Sequence, residues 1–126
     1  MRVARHNFAA TSLGDKVYVF EGTTDEYDSV SDAWRVRTTW TGGSADWAMS
    51  WGDRVFLVSS SSVNEYDPAT NLFASRGAFS IFKNDACFAN VGDKVFSLGG
   101  SSSVQPVPSE RFDLASWRRL YVYRKN

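Results

Sequence analysis

The stretch "GDKVYVF", residues 14–20, decides how the rest of the chain is read, because it returns as "GDRVFLV" at 52–58 and as "GDKVFSL" at 92–98. Each copy is a Gly-Asp pair, a cation and a short apolar run. Glycine, and aspartate more tolerantly, can take the positive φ values that a two-residue hairpin turn demands. The run that follows is rich in β-branched and aromatic residues, which suits a buried strand. The phrase therefore predicts a tight turn feeding a strand, and the Gly-Asp spacings of 52 − 14 = 38 and 92 − 52 = 40 residues predict that the unit is repeated.

The flanks line up as well. Before the turn, "FAATSL" (8–13) and "ACFANV" (86–91) are small and apolar, as a strand crowded on both sides requires, and "DWAMSWGD" (46–53) matches more loosely. After the apolar run comes a small-residue segment and then an aromatic-Asp pair: Tyr27-Asp28, Tyr66-Asp67 and Phe112-Asp113. This pair predicts the end of a third strand, with the Asp capping the next turn, most clearly in "YDPATNLF" (66–73), where Pro68 fixes φ. A fourth strand is expected to begin at Trp34, Leu72 or Trp117, with Trp34, Phe73 and Trp117 as packing aromatics. No stretch of useful length has helical periodicity.

Apolar residues make up 43% of the chain and aromatics 15%, which argues for a folded core, and no apolar run approaches the length of a membrane-spanning helix. Fourteen cations balance fourteen acids, so no global field recruits nucleic acid or an anionic membrane. One cysteine, Cys87, rules out an internal disulfide and a cysteine-based zinc cluster. With no apolar leader at the N-terminus, this points to a reducing, cytoplasmic setting.

Four strands per unit of about forty residues resembles the kelch repeat of β-propellers. Arg5-His6, Gly14-Asp15, Tyr27-Asp28 and Trp34 carry the likeness in the first unit, Gly52-Asp53, Tyr66-Asp67 and Phe73 in the second, and Gly92-Asp93, Gly99-Gly100, Phe112-Asp113 and Trp117 in the third. The Gly-Gly doublet that the family places after the second strand is Glu21-Gly22 in the first unit and Ser59-Ser60 in the second. The resemblance implies an all-β fold of three four-stranded antiparallel blades, at 1–40, 41–80 and 81–126. Closed propellers usually hold four to eight blades. Three blades imply half of a six-bladed ring, completed by a second copy, by a different chain or by further sequence.

Residue types that recur in every unit serve the unit's fold, so Asp15, Asp53, Asp93, Asp28, Asp67 and Asp113 are read as turn residues. The positions that break the repeat are more informative. Glu21 stands where the family has glycine near the ring axis. The resemblance implies that the loops after the second strand, with the residues just before the first, form a ligand face; the candidates are Thr23, Thr24, Ser60, Ser61, Ser101 and Ser102, joined by His6, Asn7, Asn84 and Asp85. Hydroxyls and amides give adaptable hydrogen bonds at small conformational cost. Trp51 is expected to pack in the core, Trp47 to fill space in a distorted blade and Trp40 to serve a subunit contact.

No catalytic residue, metal site or cofactor is expected. One histidine cannot supply the ligand set of a copper-radical propeller oxidase, "SSSS" (59–62) is no nucleophile elbow, and "GTTD" (22–25) lacks the lysine and glycines of a phosphate cradle. The function implied is a kelch-type module that binds a protein or peptide partner through polar loops on one face. Two alternatives stand beside it: a structural subunit that assembles through open blade edges, and a sugar-binding propeller.

Overall fold

The structure, a computed structural model, describes residues 8–39, 46–59, 62–79, 86–101, 109–116 and 118–122, the last of these through its backbone. These residues are all-β, and among them twelve strands form three four-stranded antiparallel sheets, each drawn from one stretch of chain. Sheet 1 runs β1 (Ala9–Leu13), β2 (Lys16–Glu21), β3 (Thr23–Asp28) and β4 (Ala33–Thr39). Sheet 2 runs β5 (Trp47–Trp51), β6 (Arg54–Val58), β7 (Val63–Asp67) and β8 (Leu72–Gly77). Sheet 3 runs β9 (Cys87–Val91), β10 (Lys94–Leu98), β11 (Ser109–Asp113) and β12 (Arg118–Val122). In each sheet the strands lie side by side in chain order. Among the described residues no helix is long and apolar enough to cross a membrane.

The three quoted phrases fold alike. Leu13 pairs with Lys16, Trp51 with Arg54 and Val91 with Lys94, so each Gly-Asp pair forms a two-residue hairpin loop. Gly14, Gly52 and Gly92 take φ of +63°, +63° and +56°, whereas among the described non-glycine residues only Asp32 and Asn71 have positive φ. Glycine alone supplies the unusual conformation, as in a turn of type II′, and the aspartate does not share it as the sequence had suggested.

A second clasp joins the two turns at the same end of a sheet. The N–H of Ser29 donates to the carbonyl of Asp15 at 3.1 Å, and Leu114 N–H to the carbonyl of Asp93 at 2.8 Å. The matching position in sheet 2 is Pro68, which has no N–H to give.

Asp28 and Asp67 cap their turns as expected: Val30 and Ala69 each donate a backbone N–H to the carboxylate at 2.9 Å. Asp113 is different. Its carboxylate pairs with Arg111 at 2.8 Å, two residues back on the same strand. The expected alignment of Trp117 is also corrected. Asp28 pairs with Ala33 and Asp113 with Arg118, so both turns have four residues, and the partner of Phe112, at the place of Trp34 opposite Tyr27, is Arg119. By count Trp117 falls at the place of Asp32 and Asn71, and its own placement lies outside the described residues.

Contacts divide the chain into two units, Met1–Ser59 with Asn64–Ser75, and Ser60–Val63 with Arg76–Asn126. In the first unit, sheet 1 packs on sheet 2 through buried Ala9, Tyr18, Phe20, Ala48, Val55, Leu57 and Tyr66, flanked by Leu13 and Phe73. The Tyr66 ring meets Tyr18 and Phe20 edge-on, with centroids 5.9 and 5.6 Å away. In the second unit Phe79 packs on Phe88 and Phe112 at 6.0 and 6.2 Å.

Candidate functional site

Antiparallel pairing gives each sheet two distinct ends. One end carries the Gly-Asp turn and the turn after the aromatic-Asp pair. Its polar groups bond to one another: Asp15 with Ser29, Asp28 with Val30, Tyr27 with Asp32, Tyr66 with Asn71 and Asp67 with Ala69. The other end carries the connection after the second strand, next to the residues that enter the first. Ala9 pairs with Phe20, Trp47 with Val58 and Cys87 with Leu98, so within each sheet those two segments adjoin.

The candidate residues that the structure describes, Glu21, Thr23, Thr24 and Ser101, lie at or near this second end. Glu21 and Thr23 face each other across Gly22, which holds φ of +66°, and both are half-buried. Thr23 donates its hydroxyl to Oδ1 of Asp25 at 3.0 Å. Thr24 and Asp25 are buried, and the Thr24 hydroxyl has no hydrogen-bond partner among the described residues. Ser101 is exposed, in the long connection between β10 and β11. His6, Asn7, Ser60, Ser61, Asn84, Asp85 and Ser102 lie outside the described residues, as does Trp40. Trp47 is half-buried; Trp51, expected in the core, is 38% exposed at a strand end, with its ring 6.3 Å from that of Phe56.

The sequence reading missed a buried polar cluster in the first unit. Glu26, 2% exposed, accepts from Arg35 Nε at 2.8 Å on one oxygen and from Arg37 Nη1 at 2.9 Å on the other. Burial opposes its charge, but hydrogen bonds from Arg35 and Tyr18 and the two guanidinium charges outweigh that and hold its carboxyl below the usual glutamate range. Tyr18 shifts the opposite way: burial and the adjacent Glu26 push its hydroxyl far above the usual range. Neither group is poised to exchange a proton near neutral pH, so the cluster acts as a strut rather than as acid or base. Arg37 carries it across to sheet 2 by donating to the Pro68 carbonyl at 2.5 Å, while Asn71 Nδ2 donates back to the Arg37 carbonyl at 2.8 Å.

One signal for this cluster was present in the sequence. Arg35 and Arg37 alternate on a strand next to Glu26, which places their side chains on its face of the sheet. Beside Glu26 a cleft of about 260 Å³ is lined by Asp28, Ser31, Ala33, Trp34 and Arg35. Trp34, expected as a packing aromatic, is 36% exposed there and lies against Tyr27, with ring centroids 5.1 Å apart. Among the described residues no cluster of three His, Cys, Asp or Glu is placed to hold a metal ion.

No family model matches the sequence, and no curated protein matches it. Among solved structures 95 chains match. One, described as the structure of YjhT, is similar over 98% of this chain and 53% of its own, with a TM-score of 0.78 and 12% identity. At that identity the likeness shows the fold alone. The chain spans about half the length of that structure.

Proposed function

We propose that the chain is a kelch-type propeller segment that binds a protein or peptide partner through the sheet ends bearing Glu21, Thr23, Ser101 and the neighbouring loop residues. The observation that carries this reading is the contrast between the two ends. At the Gly-Asp end the sequence repeats from sheet to sheet, and its polar groups serve to close the turns. At the opposite end the sequence stops repeating and is rich in hydroxyls, and the longest connection within a sheet, from Leu98 to Ser109, lies there. Loops that vary on a repeated scaffold are where recognition is usually placed.

Peptides selected against the immobilised full chain test the reading. Asn7→Ala, Ser60→Ala and Ser101→Arg are each expected to weaken a selected peptide about tenfold or more. Val30→Arg, at the other end, is expected to leave binding unchanged. Unchanged binding in all three loop variants would remove this end from consideration.

A second reading, a subunit that assembles through open sheet faces, is favoured by one observation. β9 of sheet 3 is exposed over most of its length, whereas the matching strands of the other two sheets bury Ala9, Ala48 and Met49.

A further inference from the structure

Counted from the Gly-Asp glycine in the first two strands and from the aromatic-Asp pair in the last two, the sheets can be compared position by position. One face of sheet 1 carries Ala9, Tyr18, Phe20 and Glu26, each no more than 4% exposed and packed toward sheet 2. The same positions in sheet 2 are Trp47, Phe56, Val58 and Glu65, half-buried to fully buried. In sheet 3 they are Cys87, Phe96, Leu98 and Arg111, and none is buried; Leu98 is 37% exposed, and Val91 on the same face 71%. Sheet 3 therefore has the face that is covered in sheet 1, with no such cover from the described residues.

What covers that face in sheet 1 is the surface of sheet 2 formed by Ala48, Val55, Leu57 and Tyr66, with Ser50 and Phe73 alongside. Sheet 1 repeats this surface on its own second face: Ala10, Ser12, Val17 and Tyr27 are the same residue types at the same positions, and Val19 and Trp34 stand for Leu57 and Phe73. There the copy is largely open. Ala10, Ser12 and Trp34 are exposed and Val17 and Tyr27 half-buried, although Val19 is buried. One chain thus carries an uncovered face and, elsewhere, a replica of the surface that covers the equivalent face.

We propose that sheet 3 docks the Ala10–Ser12–Val17–Tyr27 face of sheet 1 from a second copy of this chain, and that two copies make this contact reciprocally. The contact reuses an apolar interface the fold already builds between sheets 1 and 2, and a heterologous contact made twice about a twofold axis closes on itself. The proposal does not depend on the polar sheet ends binding a partner.

Light scattering of the full chain is expected to give about 28 kDa, two copies of 14.1 kDa. Ser12→Arg on one surface or Ala89→Glu on the other is expected to yield monomer, and the double variant to recover the dimer, since arginine then meets glutamate at both contacts. Ala10→Cys, at the place of Ala48, is expected to form an intermolecular disulfide with the native Cys87, at the place of Ala9. A folded monomer of 14.1 kDa at all concentrations would overturn the proposal. So would a dimer that survives both charge variants, or an Ala10→Cys variant that never cross-links to Cys87 of the second copy.

Discussion

Tyr66 donates its hydroxyl to Oδ1 of Asn71 at 2.7 Å, and Asn71, held at φ of +62°, donates its amide to the carbonyl of Arg37 in the neighbouring sheet. One side chain closes its own turn and fastens it to sheet 1. Tyr27 and Asp32, five residues apart in the same way, repeat the first half of this arrangement at 2.5 Å, with Asp32 at φ of +54°. In sheet 3 Phe112 has no hydroxyl, and the matching residue, Trp117, could not accept one.

Asn71→Ala should be the costlier of the two changes at this pair. Tyr66→Phe loses one hydrogen bond and should cost about 1 kcal/mol. Asn71→Ala loses two bonds and removes the short polar side chain that lets a non-glycine residue hold the left-handed region, for a total of about 3 kcal/mol. Urea unfolding at constant m-value measures both, and Asn71→Gly should recover the backbone part.

Removing the charge of Glu26 takes the ion-pair partner from Arg37, whose side chain is 15% exposed, while Arg35, 61% exposed, can turn to solvent. Glu26→Gln is expected to destabilise by about 2 kcal/mol, below the range for breaking a fully buried pair because solvent screens Arg35. The pH dependence has a definite sign. The folded carboxyl titrates below the ordinary value of 4.5, so its stabilisation is present above that value and is lost as pH falls through the folded one. Acid unfolding of the wild type should therefore steepen below pH 4.5, and the Glu26→Gln curve should be flatter. Tyr18 acts at the alkaline end, where its raised value means that stability is lost as pH rises past the ordinary tyrosine value.

Substituting alanine for glycine should separate backbone strain from crowding. A β-carbon at Gly52 meets nothing within 4 Å, so Gly52→Ala should cost only the left-handed backbone, about 1 to 2 kcal/mol. Gly77 has φ of +137°, and a β-carbon there would lie 3.2 Å from the Phe112 ring. Gly77→Ala should cost more than Gly52→Ala in the same thermal or urea assay.

The cation of the repeated phrase should matter unequally. Lys16 reaches Asp28 only at 4.0 Å, and Lys16→Ala should change stability by less than about 0.5 kcal/mol. Arg54 touches Asp53, Glu65 and Asp67 at 2.8, 3.1 and 3.4 Å, and Arg54→Ala should cost about 1 kcal/mol.

The turns and strands were legible because they depend on local chemistry. Glycine at 14, 52 and 92 is required by backbone conformation whatever surrounds it, and the alternation of "KVYVF" follows from the pleat. The alignment of Trp117 was misread because an aromatic was matched to an aromatic, when the four-residue turn fixes position by count. The Glu26 cluster escaped notice because its members lie on three adjacent strands, and only the register that sets Glu26 opposite both Tyr18 and Arg35 brings them together. The open face of sheet 3 was harder still. Its residues are no more polar than those of sheet 1, and only accessibility separates a covered face from an uncovered one.

The clasp between the two turns of a sheet leaves an unequal record in amide exchange. Ser29 and Leu114 give their N–H groups to Asp15 and Asp93, so their protons report directly on whether those turns stay closed. Pro68 leaves sheet 2 with no such reporter. If that end of sheet 2 opens on its own, the event will register first at Ala69, whose N–H goes to the Asp67 carboxylate, and acid that protonates Asp67 should loosen it before the strands themselves exchange.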